Sequence, residues 1–506
     1  MPRHSDAPPR ILIVTPEITY LPSGMGNMAN SLNAKAGGLA DVSASLVAAL
    51  FDHGADVHVA LPHYRRMFHM DVGRLINDEL RVYKSRLPDS RIHLAEDRCF
   101  YYRETVYSRY QDENPKLALA FQREVINNIL ATVQPDLVHC NDWMTSLVPA
   151  AARRMDIPCL FTVHNIHTHH LTLSAVEESG IDAAEFWPYL YYTRVPANYE
   201  ETRGNNAVDL LASGVFASHF INTVSPTFLD EICRGWFDFI PPYFRAEIIG
   251  KRDAGCAVGI LNAPDETYDP AIDDALEAKY TDANHVEAKR ANKIAFQMKM
   301  EMDVDPDAPL FFWPSRLDPI QKGPQLLTDI LFKMVERYRN QKLQVAVVAN
   351  GQHQAAFHDV VRMHDLRDRV AVCNFDEKLS RLGYAAADFV LVPSLFEPCG
   401  LPQMVGAIYG TLPVVHDTGG LHDTVESLSA DGKTGNGFSF KIYGSAGLEW
   451  AMDEAMKFFA QPASQRAEQV GRIMRESKAR FNHAVCARSY MDIYERMLNR
   501  VLVNPY

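Results

Sequence analysis

Ile11-Leu12-Ile13-Val14-Thr15 is a short, apolar, β-branched run, the pattern of a parallel strand buried on both faces. A Gly/Ser/Asn-rich loop follows it. Leu39, Val42, Leu46 and Leu50 then recur at helical spacing, Gly54 breaks the pattern, and Val57, Val59 and Leu61 alternate as a second strand. Strand, loop, helix and strand in that order predict a βαβ unit, which needs helices on both faces of a parallel sheet to bury it.

Working outward, the same grammar repeats. Strand-like runs fall at residues 136–140, 160–164 and 220–225, with a helical stretch at 124–133. A second series begins near residue 309, with strands at 310–314, 345–349, 370–375, 389–393 and 413–416 and a helix at 325–338. Between the two series lies 261–275, rich in Pro, Asp and Asn. The expected organisation is therefore an α/β chain of two doubly wound, Rossmann-like domains, 1–265 and 266–483, followed by an amphipathic helical segment within 484–506. A length of 506 residues suits two large domains of this kind. Two such sheets facing each other imply a deep cleft at the carboxyl ends of the strands, where open α/β sheets hold their ligands.

Composition narrows the function classes. Hydrophobic residues at 47% and charged residues at 22% match a globular protein with a full core. No stretch of 18 uninterrupted apolar residues is present, so no membrane-spanning helix is expected. Lys+Arg number 50 against 63 Asp+Glu, and the resulting charge of −13 opposes nucleic acid or an anionic membrane as the main partner. A neutral sugar polymer meets no such penalty. The 8 cysteines show no C-x-x-C spacing, which points away from a zinc site or a disulfide framework and toward the cytoplasm. The opening MPRHSDAPPR lacks the apolar stretch of a signal peptide.

Three loops at the expected sheet edges carry chemistry. Lys35-Ala36-Gly37-Gly38 opens a helix, where free N–H groups and a lysine suit an anionic ligand, although spacing alone favours a simple tight turn with a surface lysine. Neither G-x-G-x-x-G nor a Walker loop is present, so no nicotinamide cofactor or P-loop chemistry is indicated. Arg316 ends one strand and Lys322 precedes a helix, two cations placed to neutralise a diphosphate, or else ordinary surface charges. The third stretch, Phe396-Glu397-Pro398-Cys399-Gly400-Leu401-Pro402-Gln403, sets a carboxylate between a strand and a helix. Thr418-Gly419-Gly420-Leu421 adds a glycine-rich loop one strand later. Cys399 lacks a paired base and reads as a buried small side chain.

In this order, KAGGLADV (35–42), HCNDWMT (139–145), TVHN (162–165), TVSP (223–226), GILN (259–262), the 315–323 loop, FEPCGLPQ (396–403), YGT (409–411) and TGGLHDTV (418–425) span nearly the whole chain. Together they resemble the bacterial glycogen (starch) synthases, retaining glycosyltransferases of family 5 with the two-domain GT-B fold. The resemblance implies that Lys35 and the amides of Gly37 and Gly38 reach the donor's phosphates or sugar. Arg316 and Lys322 would hold the diphosphate leaving group, and His164, with Asn165 beside it, would line the donor glucose. Glu397 would bind the glucose hydroxyls with Cys399, Gly400 and Leu401 on the same wall and Thr418, Gly419 and Gly420 nearby. Tyr384 would stack on the nucleobase, and the C-terminal helix would cross back onto the first domain.

The chain departs from the family pattern at Ala263-Pro264, where a glycine is usual, at Leu395 and His416, where arginines are usual, and at Asn141 and Met144, which replace histidines. One extra residue lies between Arg316 and Lys322. These changes bear on the acceptor side and on the donor's identity. The expected activity is transfer of glucose from a nucleotide sugar, by resemblance ADP-glucose, to the non-reducing end of an α-1,4-glucan, with no cofactor and no metal. A GT-B transferase using UDP-glucose or a small acceptor, or a non-catalytic glucan-binding relative, stands as the alternative. Asp303-Val304-Asp305 spells D-x-D but sits in an acidic connector, and His164, His167, His169 and His170 fit a partly exposed loop better than a metal site.

Overall fold

The computed structural model describes residues 7–26, 28–68, 90–110, 112–429 and 432–503. Its strands, in chain order, are β1 (Arg10–Val14), β2 (Asp56–Pro62), β3 (Ile92–Ala95), β4 (Leu137–Asn141), β5 (Cys159–Val163), β6 (His170–Leu171), β7 (Val208–Asp209), β8 (Phe220–Thr223) and β9 (Ala257–Gly259). They continue with β10 (Leu310–Trp313), β11 (Gln344–Val348), β12 (Val370–Cys373), β13 (Phe389–Val392), β14 (Leu412–His416) and β15 (Phe438–Phe440). The apolar runs of the sequence thus become strands within a residue or two of where their composition puts them.

The chain forms two compact units. The first comprises residues 1–224, 229–260 and 483–506; the second comprises 225–228 and 261–482. In the first, a seven-stranded sheet runs β3-β2-β1-β4-β5-β8-β9, and every neighbouring pair is parallel. In the second, a six-stranded parallel sheet runs β12-β11-β10-β13-β14-β15. Each order steps outward one way from its first strand and then reverses, so each sheet has a switch point beside that strand, between β1 and β4 and between β10 and β13. Loops leaving those strand ends diverge to opposite sides and open a crevice.

Burial explains why the strands read as unbroken apolar runs. β4 and β5 are buried along their whole lengths, as are β10 and β11, because helices cover both faces. In the second unit, Trp313, Leu327, Leu331, Met334, Val345, Val347, Leu391 and Met452 pack into one core. Gly214 and Gly383 let their helices press onto the sheets: a Cβ on Gly214 would come 2.3 Å from the Phe161 ring, and one on Gly383 2.6 Å from the Phe312 ring.

The C-terminal helix His483–Leu498 belongs to the first unit, where it packs on the helix Gly38–Asp52. A buried polar chain ties it to the sheet. His139 Nδ1 lies 2.7 Å from the Tyr494 hydroxyl and its Nε2 lies 2.6 Å from Thr162 Oγ1. Thr162 donates to Asn222, whose amide donates to the Tyr490 hydroxyl. Burial pushes the His139 imidazole pKa down to about 3, so the network is built on a neutral ring. Among the described residues, no helix is long and apolar enough to cross a membrane.

Candidate active site

At the switch point of the second sheet, the loops after β10 and β13 are laced together. Leu395 N–H donates to the Gln321 carbonyl at 2.8 Å. Gly323 takes a left-handed φ of 72°, and a Cβ there would stand 2.5 Å from the Pro393 carbonyl oxygen, so only glycine lets the helix Pro324–Arg337 begin this close to the strand end. The lacing puts Lys322 against Glu397: Nζ donates to Oε2 at 2.6 Å, and Ser394 Oγ donates to the same oxygen at 2.9 Å. Both side chains are largely buried. The other carboxylate oxygen, Oε1, has no hydrogen bond among the described residues. The 316–322 loop makes a turn, with Lys322 N–H bonded to the Asp318 carbonyl, and from it the lysine reaches the carboxylate.

The wall beside Glu397 is built with little slack. Gly420 N–H donates to the Glu397 carbonyl at 2.9 Å, and a Cβ on Gly420 would fall 2.0 Å from the Cys399 carbonyl oxygen. Gln403 donates to the Cys399 and Gly400 carbonyls and to Thr424. Gly400 has a left-handed φ of 74° and Gly419 one of 46°. Glu397, Cys399, Gly400, Leu401, Thr418, Gly419 and Gly420 therefore form one patch. Arg316 stands at the end of β10 with its guanidinium exposed and without an ion pair among the described residues. Neither departure nearby restores a cation: Leu395 is apolar, and His416 is buried with Nδ1 on the Ser394 carbonyl at 2.8 Å, its pKa lowered by burial.

Tyr384 is a correction. Its side chain is 6% exposed, meets Phe312 edge-on at 5.3 Å and lies 6.1 Å from Tyr409. The close approach of its helix Glu377–Ala386 through Gly383 turns this tyrosine into the core, leaving no ring face for a nucleobase.

At the switch point of the first sheet, the expected anion cradle is already filled by the protein's own carboxylates. Buried Glu17 accepts the amides of Ala36 and Gly37 at 2.7 and 2.9 Å and the Tyr107 hydroxyl at 3.1 Å. Lys35 Nζ sits 2.8 Å from Asp41. The Gly37 amide is thus spent on Glu17 and cannot also serve a phosphate, while Gly38 begins the helix Gly38–Asp52. Glu17 has a raised pKa because desolvation outweighs those hydrogen bonds.

Sequence reading missed Asp142 as a site residue. It leaves β4 with φ 58° and ψ 179°, a region nearly reserved for glycine, and is buried. Its carboxylate accepts the His164 amide at 2.8 Å and the Asn165 side-chain amide at 3.0 Å. Desolvation raises its pKa to about 7 against those two bonds. His164 Nε2 lies 2.9 Å from Asn141 Oδ1, and burial lowers its pKa to about 3, so it is a neutral, oriented imidazole. The signal available in the sequence was an acid inside an Asn-Asp-Trp turn directly after a buried strand.

Of the other histidines, His167 and His169 bring their Nε2 atoms within 3.2 Å, and His170 turns away to Asp209 at 3.4 Å. Among the described residues, no three His, Cys, Asp or Glu side chains gather as a metal-ligand set. Asp305 of the D-x-D stretch pairs with Lys342 at 2.8 Å.

Residues 10–239 match the family model of the starch synthase catalytic domain, and residues 308–454 match that of glycosyl transferases group 1. The chain is 32% identical to a glycogen synthase of Moorella thermoacetica over 97% of its own length and 98% of the relative's. It is 31% identical to one of Bacillus licheniformis, over 91% and 95%. Among solved structures, it resembles the catalytic domain of starch synthase IV from Arabidopsis thaliana bound to ADP and acarbose. That match has a TM-score of 0.77 at 23% identity and covers 98% of this chain and 100% of the other. A sucrose-phosphate synthase from Thermosynechococcus elongatus matches at TM-score 0.59 and 17% identity, over 97% and 99%.

Proposed function

The chain belongs to the glycogen and starch synthase family of glycosyltransferases, and from that premise we propose that it moves glucose from ADP-glucose to the non-reducing end of an α-1,4-glucan with retention of configuration. The observation that carries the reading is the Lys322–Glu397 pair at the switch point of the second sheet, whose second carboxylate oxygen makes no hydrogen bond among the described residues.

In this scheme Arg316 and Lys322 supply the positive field for the departing diphosphate. Glu397 Oε1 accepts a hydroxyl of the donor glucose and fixes the ring, while the 399–401 and 418–420 loops shape the wall. His164 is a neutral, oriented imidazole, so it would add no charge that repels an oxocarbenium-like sugar. The acceptor hydroxyl attacks from the face the diphosphate leaves, and the leaving phosphate oxygen takes the acceptor's proton. Glu397 acts by position and field, not as a covalent nucleophile. No step is assigned to a metal or a cofactor.

ADP is favoured over UDP because the starch synthase neighbour is bound to ADP and acarbose. The test is nucleotide release measured with ADP-glucose and UDP-glucose in parallel, against glycogen and against a maltose-type phosphate. Release from ADP-glucose that depends on glycogen supports the assignment. Faster release from UDP-glucose, or with the small acceptor, reassigns the substrate; glucan binding with no release overturns the activity.

A further inference from the structure

We propose that His167 and His169 form a binding site for a divalent transition-metal ion, zinc above all, on the loop that carries His164. Two imidazole nitrogens each about 2.05 Å from a tetrahedral ion stand roughly 3.3 Å apart. The two Nε2 atoms are 3.2 Å apart, which is the bite of such an ion before it arrives.

The pair is held in that geometry by its surroundings. His169 packs against Trp143 at a tilt of 56° with ring centroids 4.4 Å apart, and His167 meets the same indole edge-on at 5.9 Å. The backbone is pinned at each step: His167 N–H donates to Asn165 Oδ1 at 2.7 Å, Thr168 Oγ1 donates to Asp209, and Leu210 N–H donates to the His169 carbonyl. His167 is exposed and His169 half-buried, so an ion can reach them from solvent. In the ion-free protein one ring donates its Nε2 proton to the other. On binding, that proton moves to Nδ1 of the same ring, and neither Nδ1 is hydrogen-bonded among the described residues. Water completes the coordination, since no third protein ligand joins the pair among the described residues.

The bound ion would stiffen the loop whose Asn165 bridges Asp142 and the His167 amide. Slowed turnover is the expected consequence, and that part alone rests on the transferase reading.

The test is calorimetric titration of the full chain with ZnCl2, comparing wild type with His167→Ala, His169→Ala, the double variant, and His358→Ala at an exposed histidine elsewhere. Wild type and His358→Ala should bind one ion more than the double variant. Each single variant should weaken that ion by more than the roughly tenfold to hundredfold that loss of an outer-shell partner costs. The Cu2+ spectrum of wild type should show coupling to two imidazole nitrogens. Equal stoichiometry and affinity in wild type and double variant would overturn the site, whatever the turnover. If zinc binds wild type as expected but leaves its nucleotide release with glycogen unchanged, the site stands and the coupling to catalysis falls.

Discussion

Replacing Lys322 with alanine strips Glu397 of its cation and leaves Oε2 with only the Ser394 hydroxyl. The two side chains are 13% and 7% exposed, so water offers the stranded carboxylate little relief. Breaking a pair at this depth costs about 3–5 kcal/mol; the partial opening of the site favours the lower end. For a unit the size of residues 261–482, ~3 kcal/mol corresponds to a fall in Tm of roughly 6–12 °C. Turnover should fall by about a hundredfold to a thousandfold, the loss typical when one charge-stabilising donor is removed from a transition state. Calorimetry that resolves the transition of the second unit reads the first quantity, and nucleotide release with glycogen the second. A companion variant separates scaffold from chemistry: Lys322→Met combined with Glu397→Gln removes both charges, so stability should largely return while turnover stays low. Recovery of turnover in that variant, or wild-type melting and turnover in Lys322→Ala, would refute the assignment.

Gly420→Ala should raise the KM for ADP-glucose at least severalfold, because its methyl group would need the space of the Cys399 backbone; a wild-type KM would mean this wall does not touch the donor. Tyr494→Phe leaves His139 Nδ1 without its partner and should cost about 1–3 kcal/mol, seen as faster amide exchange across the helix His483–Leu498. Asp142 has a pKa raised by burial, so its contribution favours the folded state below the unfolded carboxylate value near 4 and is lost as pH rises toward about 7. Asp142→Asn should flatten the dependence of Tm on pH between those values; an unchanged slope would place the titrating group elsewhere.

Much of the architecture was legible in the chain itself. Strands buried on both faces must be continuous apolar runs, so β1, β4, β10 and β13 announce themselves locally, and the glycine-rich and acidic stretches directly after them mark the sheet edges where ligands sit. Glu397, Lys322 and the 418–420 loop stand out as candidates that way, because each lies just past a strand end.

What the residue order alone left open was the partner of each polar group. Glu17 reaches the amides of Ala36 and Gly37, and His139 reaches Tyr494 at the other end of the chain, only because parallel strands and a returning helix bring them together. Tyr384 faces inward because Gly383 lets its helix settle onto Phe312. The strained Asp142 is recognisable only from its dihedral angles and its two donors. Hydrophobic periodicity is a property of neighbours along the chain, so it determined the elements. Hydrogen-bond satisfaction is a property of neighbours in space, so the tertiary structure decided which of the candidate groups remain available to a ligand.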